Sequence, residues 1–202
     1  MSAATAARPP LVLASASPRR RALLHALGVS YRVMVPRVDE AGSHPHSIRA
    51  LVTHNARLKA RAVAGRVPGA IVLAADTVVA LDGRVFGKPR DRADARRMLR
   101  ALSGRTHRVY SGVCIIDARN RRRWTDVRVS RVTFRRLSPT NIDRYLDEAK
   151  PWDKAGAYAV QDARTLIVDR ITGSLSNVIG LPLDVVERRL RQCGIIVGGA
   201  SR

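Results

Sequence analysis

Four places in this 202-residue chain hold side chains whose type and setting suit chemistry on a charged substrate. The first is Ser15-Ala16-Ser17-Pro18-Arg19-Arg20, where a short apolar run, Leu11-Val12-Leu13-Ala14, gives way to a helix start. Ser17 suits the N-cap and Pro18 the first helical position. The free N–H groups of such a start, with the positive end of the helix dipole, favour an anion. Arg19 and Arg20 lie in that first turn, where a cation is unfavourable for an isolated helix. A bound anion removes the conflict, although an Arg-rich chain also places arginines there by composition alone. The second place is Asp76, directly after the apolar run Ile71-Val72-Leu73-Ala74-Ala75. A carboxylate at the end of a buried strand stands where α/β sheets bind ligands, and its burial calls for a cation, a metal or a donor. Aspartate also opens ordinary turns, and Thr77 beside it suits any strand.

The third place is Gly87-Lys88-Pro89, a lysine on a loop. The chain has 33 arginines and only four lysines, Lys59, Lys88, Lys150 and Lys154, so some of the four have a reason to be lysine. The fourth is Asp39-Glu40, oxygen ligands of the kind hard divalent cations take, and weak evidence as a lone loop pair. Leu102-Ser103-Gly104-Arg105-Thr106-His107 reads as a helix stop and turn, with His107 structural. His25, His44, His46 and His54 lack ligand spacing, and there is no P-loop, HExxH or GxGxxG.

The elements that must position these residues follow from period and punctuation. Strands are expected at Leu11–Ala14, Tyr31–Val35 and Ile71–Ala75, then a hairpin from Val78 to Phe86 turning at Asp82-Gly83. Longer strands are expected near Val109–Ile116 and Val127–Phe134. Tyr158–Gln161 and Leu166–Ile171 also read as strands. Helices run from Pro18 to a stop at Gly28, from Ser47 to Ala64, from a cap at Asp91 to Ser103-Gly104, from Ser138-Pro139 to Ala149, and from Leu181-Pro182-Leu183 to near Gly194. The Asp91 helix presents Ala95, Met98, Leu99 and Leu102 on one side. Mixed βα units and hairpins predict α/β architecture on a mixed sheet, in a single domain over residues 11–194, with a loose start (1–10) and a tail (195–202).

Composition narrows the function classes. The net charge is +21, spread over both halves, and attracts phosphates, nucleotides or nucleic acid. Eight aromatics, none clustered with basic residues, argue against a base-stacking platform, so specific nucleic-acid binding is not expected. Cys114 and Cys193 make neither a zinc site nor a disulfide framework, and no apolar run is long enough to span a membrane. The start lacks a secretory signal pattern. A cytoplasmic protein is expected.

The motifs, taken together and in order, resemble the Maf family of nucleoside triphosphate pyrophosphatases. The entrance is Ser15-Ala16-Ser17-Pro18-Arg19-Arg20, followed by Asp39-Glu40, Lys59-Ala60 and Ala75-Asp76-Thr77-Val78-Val79. Gly87-Lys88-Pro89, Leu102 to His107, Asp153-Lys154-Ala155-Gly156-Ala157-Tyr158 and Asn177-Val178-Ile179-Gly180-Leu181-Pro182-Leu183 complete the match over about Leu11–Leu190. The resemblance implies an inosine triphosphatase-like fold: a twisted mixed sheet with helices on both sides and two lobes around a nucleotide cleft. It implies cleavage of a triphosphate to monophosphate and pyrophosphate with a divalent cation (Mg, Mn or Co), and it leaves a homodimer open. By position Asp76 is the proton acceptor, Glu40 and Asp76 hold the metal, and Arg19, Lys59 and Lys88 neutralise the triphosphate. Ser17, Arg20, Thr77 and Gln161 complete the substrate set. Asp153 to Tyr158 followed by Gln161 is similar to the dTTP/UTP branch, the alternative being the 7-methyl-GTP branch. Two departures are Lys150-Pro151-Trp152 in place of the usual Glu-Pro, and Asp162 in place of a glycine. The reading from another class is a basic nucleic-acid-binding or interaction protein.

Overall fold

Capping side chains open four of the helices where the sequence calls for them. A computed structural model describes residues 9–163 and 166–198; the side chains of residues 162 and 163 lie outside that description. Helix α1 (Pro18–Ala26) starts at Ser17, whose hydroxyl accepts from the Arg20 N–H, and α2 (Ile48–Ala64) starts at Ser47, which accepts from Ala50. Helix α3 (Arg92–Leu102) is capped by Asp91 and α4 (Pro139–Ala149) by Ser138. A 3-10 turn (Ala155–Ala157), α5 (Val160–Ala163), α6 (Leu175–Ile179) and α7 (Leu183–Gln192) complete the helical set.

The strands are β1 (Leu11–Leu13), β2 (Arg32–Val33), β3 (Ile71–Leu81), β4 (Arg84–Phe86), β5 (Thr106–Asp117), β6 (Arg122–Phe134) and β7 (Val168–Thr172). They form one mixed sheet in the order β2-β1-β3-β5-β6-β7, with β4 added to β3. β1 runs parallel to β2 and β3, and the other pairs are antiparallel.

Alternation along β3 sorts the core. Ile71, Leu73 and Ala75 pack toward α1 and α7, meeting Leu24, Val185, Val186 and Leu190. Val72 and Ala74 pack toward α2, meeting Ala56, Ala60 and Val63. Farther along the first of these faces, Val79 and Leu81 join Leu99 of α3, Tyr145 of α4 and Ala157. Helices therefore cover both faces, as expected. The cleft lies beside β3, bordered by the α1 start, by Asn55 and Lys59 of α2 and by the Tyr158–Gln161 segment.

Three expectations need correction, and one helix was not foreseen. The strand expected to stop at Ala75 continues through Asp76 to Leu81, because β5 pairs with it from Ile71 to Ala80. Asp76 is thus mid-strand, not at a strand end. Tyr158–Gln161 is not a strand: Tyr158 and Ala159 leave the 3-10 turn and Val160–Gln161 open α5. A short buried apolar run does not distinguish helix from strand, and among the described residues no strand pairs with it. Helix α6 was not anticipated, its five residues being too few to show a period. Past Gly194, where a tail is expected, Ile195 and Val197 still pack in the α1/α7 core. Residues 1–8, 164–165 and 199–202 lie outside the described residues. Among the described residues no helix is long and apolar enough to cross a membrane.

Candidate active site

A gap in hydrogen bonding along β3 creates the site. β5 occupies one edge of β3, so β1 and β4 must share the other. β1 pairs only with Ile71–Leu73, because its chain turns away through Ser15 and Ser17 into the Pro18 helix start, and β4 pairs only with Val79–Leu81. Between them, Ala74–Val78 carry no strand on that edge among the described residues. Hydrogen bonds from Ile71 N–H to Pro10 and from Ala14 N–H to the Leu73 carbonyl show which backbone groups face it. By the two-residue period, Ala75 and Thr77 point theirs into the gap. A cleft of about 540 Å³ opens there, lined by the Ser15–Arg20 turn, Glu40, Lys59, Asp76, Lys88 and Gln161 among others.

Asp76 and Thr77 are neighbours in the chain and face opposite sides of the sheet. Asp76 faces α2, where Asn55 and Lys59 stand four residues apart on the buried stripe. Lys59 Nζ donates to Asp76 Oδ1 at 2.8 Å and Asn55 Nδ2 to Oδ2 at 3.2 Å. The same ammonium reaches Glu40 Oε2 at 2.5 Å. Asp76 is 5% exposed and Lys59 6%, so this is a buried charge cluster with one half-exposed member, Glu40. Burial alone would push the Asp76 carboxyl up. The charge and hydrogen bond of Lys59, with Arg20 and Glu40, outweigh it and hold the group below the usual carboxylate range.

Gly112 makes that cluster possible. It lies directly opposite Asp76 on β5, and a Cβ there would stand 2.4 Å from the Val52 carbonyl oxygen of α2. Without a side chain, the helix backbone comes down onto the sheet and brings Asn55 and Lys59 to the carboxylate.

Thr77 faces α6. Its hydroxyl accepts from Arg20 Nη2 at 3.2 Å and lies 2.9 Å from Ser111 Oγ. Arg20 also donates from Nε to the Gly180 carbonyl at 2.9 Å and from Nη1 to Ser15 Oγ at 3.4 Å, so it is tied into the wall. Arg19 is freer, its one ion pair among the described residues being with the exposed Asp153 at 4.0 Å. Lys88 is exposed and makes no ion pair with a described residue. Gln161 is exposed on the far lip, in the first turn of α5. Ser17, Arg19, Arg20, Glu40, Lys59, Asp76, Thr77, Lys88 and Gln161 all border this cleft, whereas Asp39 is exposed and does not line it.

Residues 10–193 match the profile of a family described as Maf-like protein. The chain belongs to the Maf family. The dTTP/UTP pyrophosphatase of Symbiobacterium thermophilum is 46% identical over 193 residues, covering 95% of this chain and 98% of its own. That of Moorella thermoacetica is 48% identical over 190 residues, covering 94% and 97%. The solved Ham1 protein of Staphylococcus aureus is a partial structural likeness, at TM-score 0.45 and 18% identity over 62% of this chain and 71% of its own.

In this Maf-family chain the four lysines all have identifiable places. Lys59, Lys88 and Lys154 border the cleft. Lys150 sits left-handed at the end of α4 with its N–H on the Leu146 carbonyl, where a cation complements the helix dipole. The side chain of Asp162 lies outside the described residues.

Sequence reasoning missed Asn55, which also clamps the loop of Glu40 through both N–H and carbonyl of Ala41. Its signal was a polar residue on an apolar helix stripe, one turn before Lys59. Gly112 was missed as well, although a glycine inside a strand signals close approach of another backbone.

Proposed function

We propose that the chain hydrolyses dTTP and UTP between the α- and β-phosphates, releasing the nucleoside monophosphate and pyrophosphate. One observation carries the reading: a buried carboxylate, held ionised by an ammonium, at a break in the sheet inside a cleft bordered by cations. The names of the relatives, dTTP/UTP pyrophosphatases, support the substrate class. A water oxygen bonds to the α-phosphorus, the bond from that phosphorus to the bridging oxygen breaks, and pyrophosphate leaves with the electron pair. Asp76 accepts the water proton. Such displacement needs positioning and charge neutralisation more than covalent help, which Lys59, Lys88 and Arg19 supply along the triphosphate. Ser17 and Thr77, with Arg20 behind them, border the nucleoside, and the Gln161 amide offers a donor and an acceptor to the pyrimidine edge.

A divalent cation fits this donor set. Glu40 and Asp76 converge on the single ammonium of Lys59, an oxygen pair of the kind a hard cation takes alongside substrate phosphates. Those two residues would hold it, and it would neutralise charge on the phosphate oxygens. Among the described residues no three His, Cys, Asp or Glu side chains gather into a metal cluster, so the substrate would complete the shell. A cytoplasmic place goes with this reading, because nucleoside triphosphates are held inside the cell.

The test incubates the protein and a divalent cation with a panel of nucleoside triphosphates and separates the products. Monophosphate and pyrophosphate from dTTP and UTP are expected. Diphosphate with orthophosphate overturns the reaction, and 7-methyl-GTP as the best substrate overturns the base assignment alone.

A further inference from the structure

The side chain of Gln161, the residue given the pyrimidine edge, makes no hydrogen bond with a described residue, and the chain that carries it is held just before it. That stretch is fixed by three hydrogen bonds to three different elements. Gly156 N–H donates to the Gly87 carbonyl at 3.0 Å, next to Lys88. Ala159 N–H donates to the Tyr145 hydroxyl of α4 at 3.1 Å. Between them, the Tyr158 hydroxyl lies 2.7 Å from Nε2 of His107 on β5. The turn that needs these anchors is unfavourable by itself: Gly156 at φ 72° is followed by Ala157 at φ 57°, a left-handed conformation for a residue with a Cβ.

His107 has no other evident task. It is 0% exposed and does not border the cleft. Its ring stands edge-on to Phe134 at 4.8 Å and to Tyr158 at 5.3 Å, and Phe134 meets Tyr158 at 4.9 Å, a three-ring set. Its Nδ1 is buried with no hydrogen-bond partner among the described residues. A residue needed only for packing would be cheaper as Phe or Leu, since a buried ring nitrogen left unpaired costs stability. The neutral imidazole is retained for what Nε2 does. We propose that His107 is a positioning residue for base selection, fixing the Tyr158 phenol and through it the segment that presents Gln161. The proposal rests on the pyrimidine-triphosphatase reading above.

The test compares H107F, Y158F and the double variant with the wild type, measuring kcat and KM for dTTP, UTP and dCTP together with thermal melts. Y158F keeps the ring and is the variant least disturbing to folding. Each single variant should raise KM for dTTP about tenfold with kcat changed less than threefold, and should pull the dTTP-to-dCTP selectivity toward one. In the double variant no buried polar group is orphaned at this contact, so the melting temperature should recover toward the wild type while selectivity stays lost. H107Q, which keeps a polar group near the hydroxyl, should restore part of the selectivity. The proposal is overturned if selectivity returns with stability in the double variant, if the two single effects multiply, or if kcat falls equally for all bases. Should the wild type prefer another base, the same ratio is taken between its best and next nucleotide, so the substrate reading fails without sparing this one its test. A wild type that turns over no triphosphate overturns both.

Discussion

At the α2 end of the cleft a carboxylate 5% exposed is held by an ammonium 2.8 Å away, with an amide on its second oxygen. At the α5 end the chain is held by a phenol on an imidazole and a phenol on a backbone N–H, with no charged group in either contact. The difference matches what each end would meet. Phosphates bring charge, so a group poised to act there must itself be charged and must be compensated when no substrate is bound. A pyrimidine brings neutral donors and acceptors, which are discriminated by fixed hydrogen-bond geometry rather than by field. Charge is also the less directional of the two, so the neutral end is where a small displacement costs selectivity.

The strongest way to break this contrast is at Asp76. Asp76→Asn keeps size and shape and removes the proposed proton acceptor, so kcat should fall about 10²–10⁴-fold, equally for every base, in steady-state assays across the nucleotide panel. The fold should survive, because Lys59 retains Glu40. A folded variant with a near-normal rate would make Asp76 structural.

Lys59→Met attacks the same end through its counter-ion. It leaves Asp76 buried with one partner fewer, which costs about 3–5 kcal/mol of stability for a broken buried pair. In the wild type the carboxyl titrates below its ordinary value, so it stays ionised well into acid and its stabilisation is lost only as pH falls through that lowered pKa. In the variant the acid limb of the rate profile should move to higher pH. An unmoved limb in a folded variant would show that Lys59 does not set the charge state of Asp76.

The smallest effect belongs to the neutral end. Burial pushes the His107 pKa down from 6.5 to about 4. The unfolded chain takes up that proton near 6.5 and the folded chain does not. The contribution is therefore full above about 6.5 and is lost between there and about 4, on the order of 3 kcal/mol. Melts of H107F against pH should show a shallower slope across that window than the wild type. Parallel slopes would mean that the imidazole takes its proton without leaving its place.

The helix starts were legible because caps are local: Ser17, Ser47, Asp91 and Ser138 each satisfy an N–H three residues on, whatever the rest of the chain does. The core face of α3 was legible for a similar reason, since burial on one side writes its period directly into the sequence, whereas β3, buried on both faces, showed only as an unbroken apolar run. The types and order of Ser17, Arg19, Asp76 and Lys88 drew attention to one cleft, and the scarcity of lysine drew attention to Lys59 and Lys88, which border it. What only the tertiary structure decided is which groups meet. That Asp76 stands mid-strand in a gap depends on where β1 and β4 stop, and those ends are set by chain turns on either side. That Lys59 and Asn55 reach it depends on Gly112, a residue 36 positions away whose lack of a side chain matters only once α2 lies over it. The path of Tyr158–Gln161 depends on partners from α4, β5 and the loop after β4. Contacts between residues distant in sequence leave no period in either segment, so the sequence alone named the site's chemistry while its arrangement came from packing.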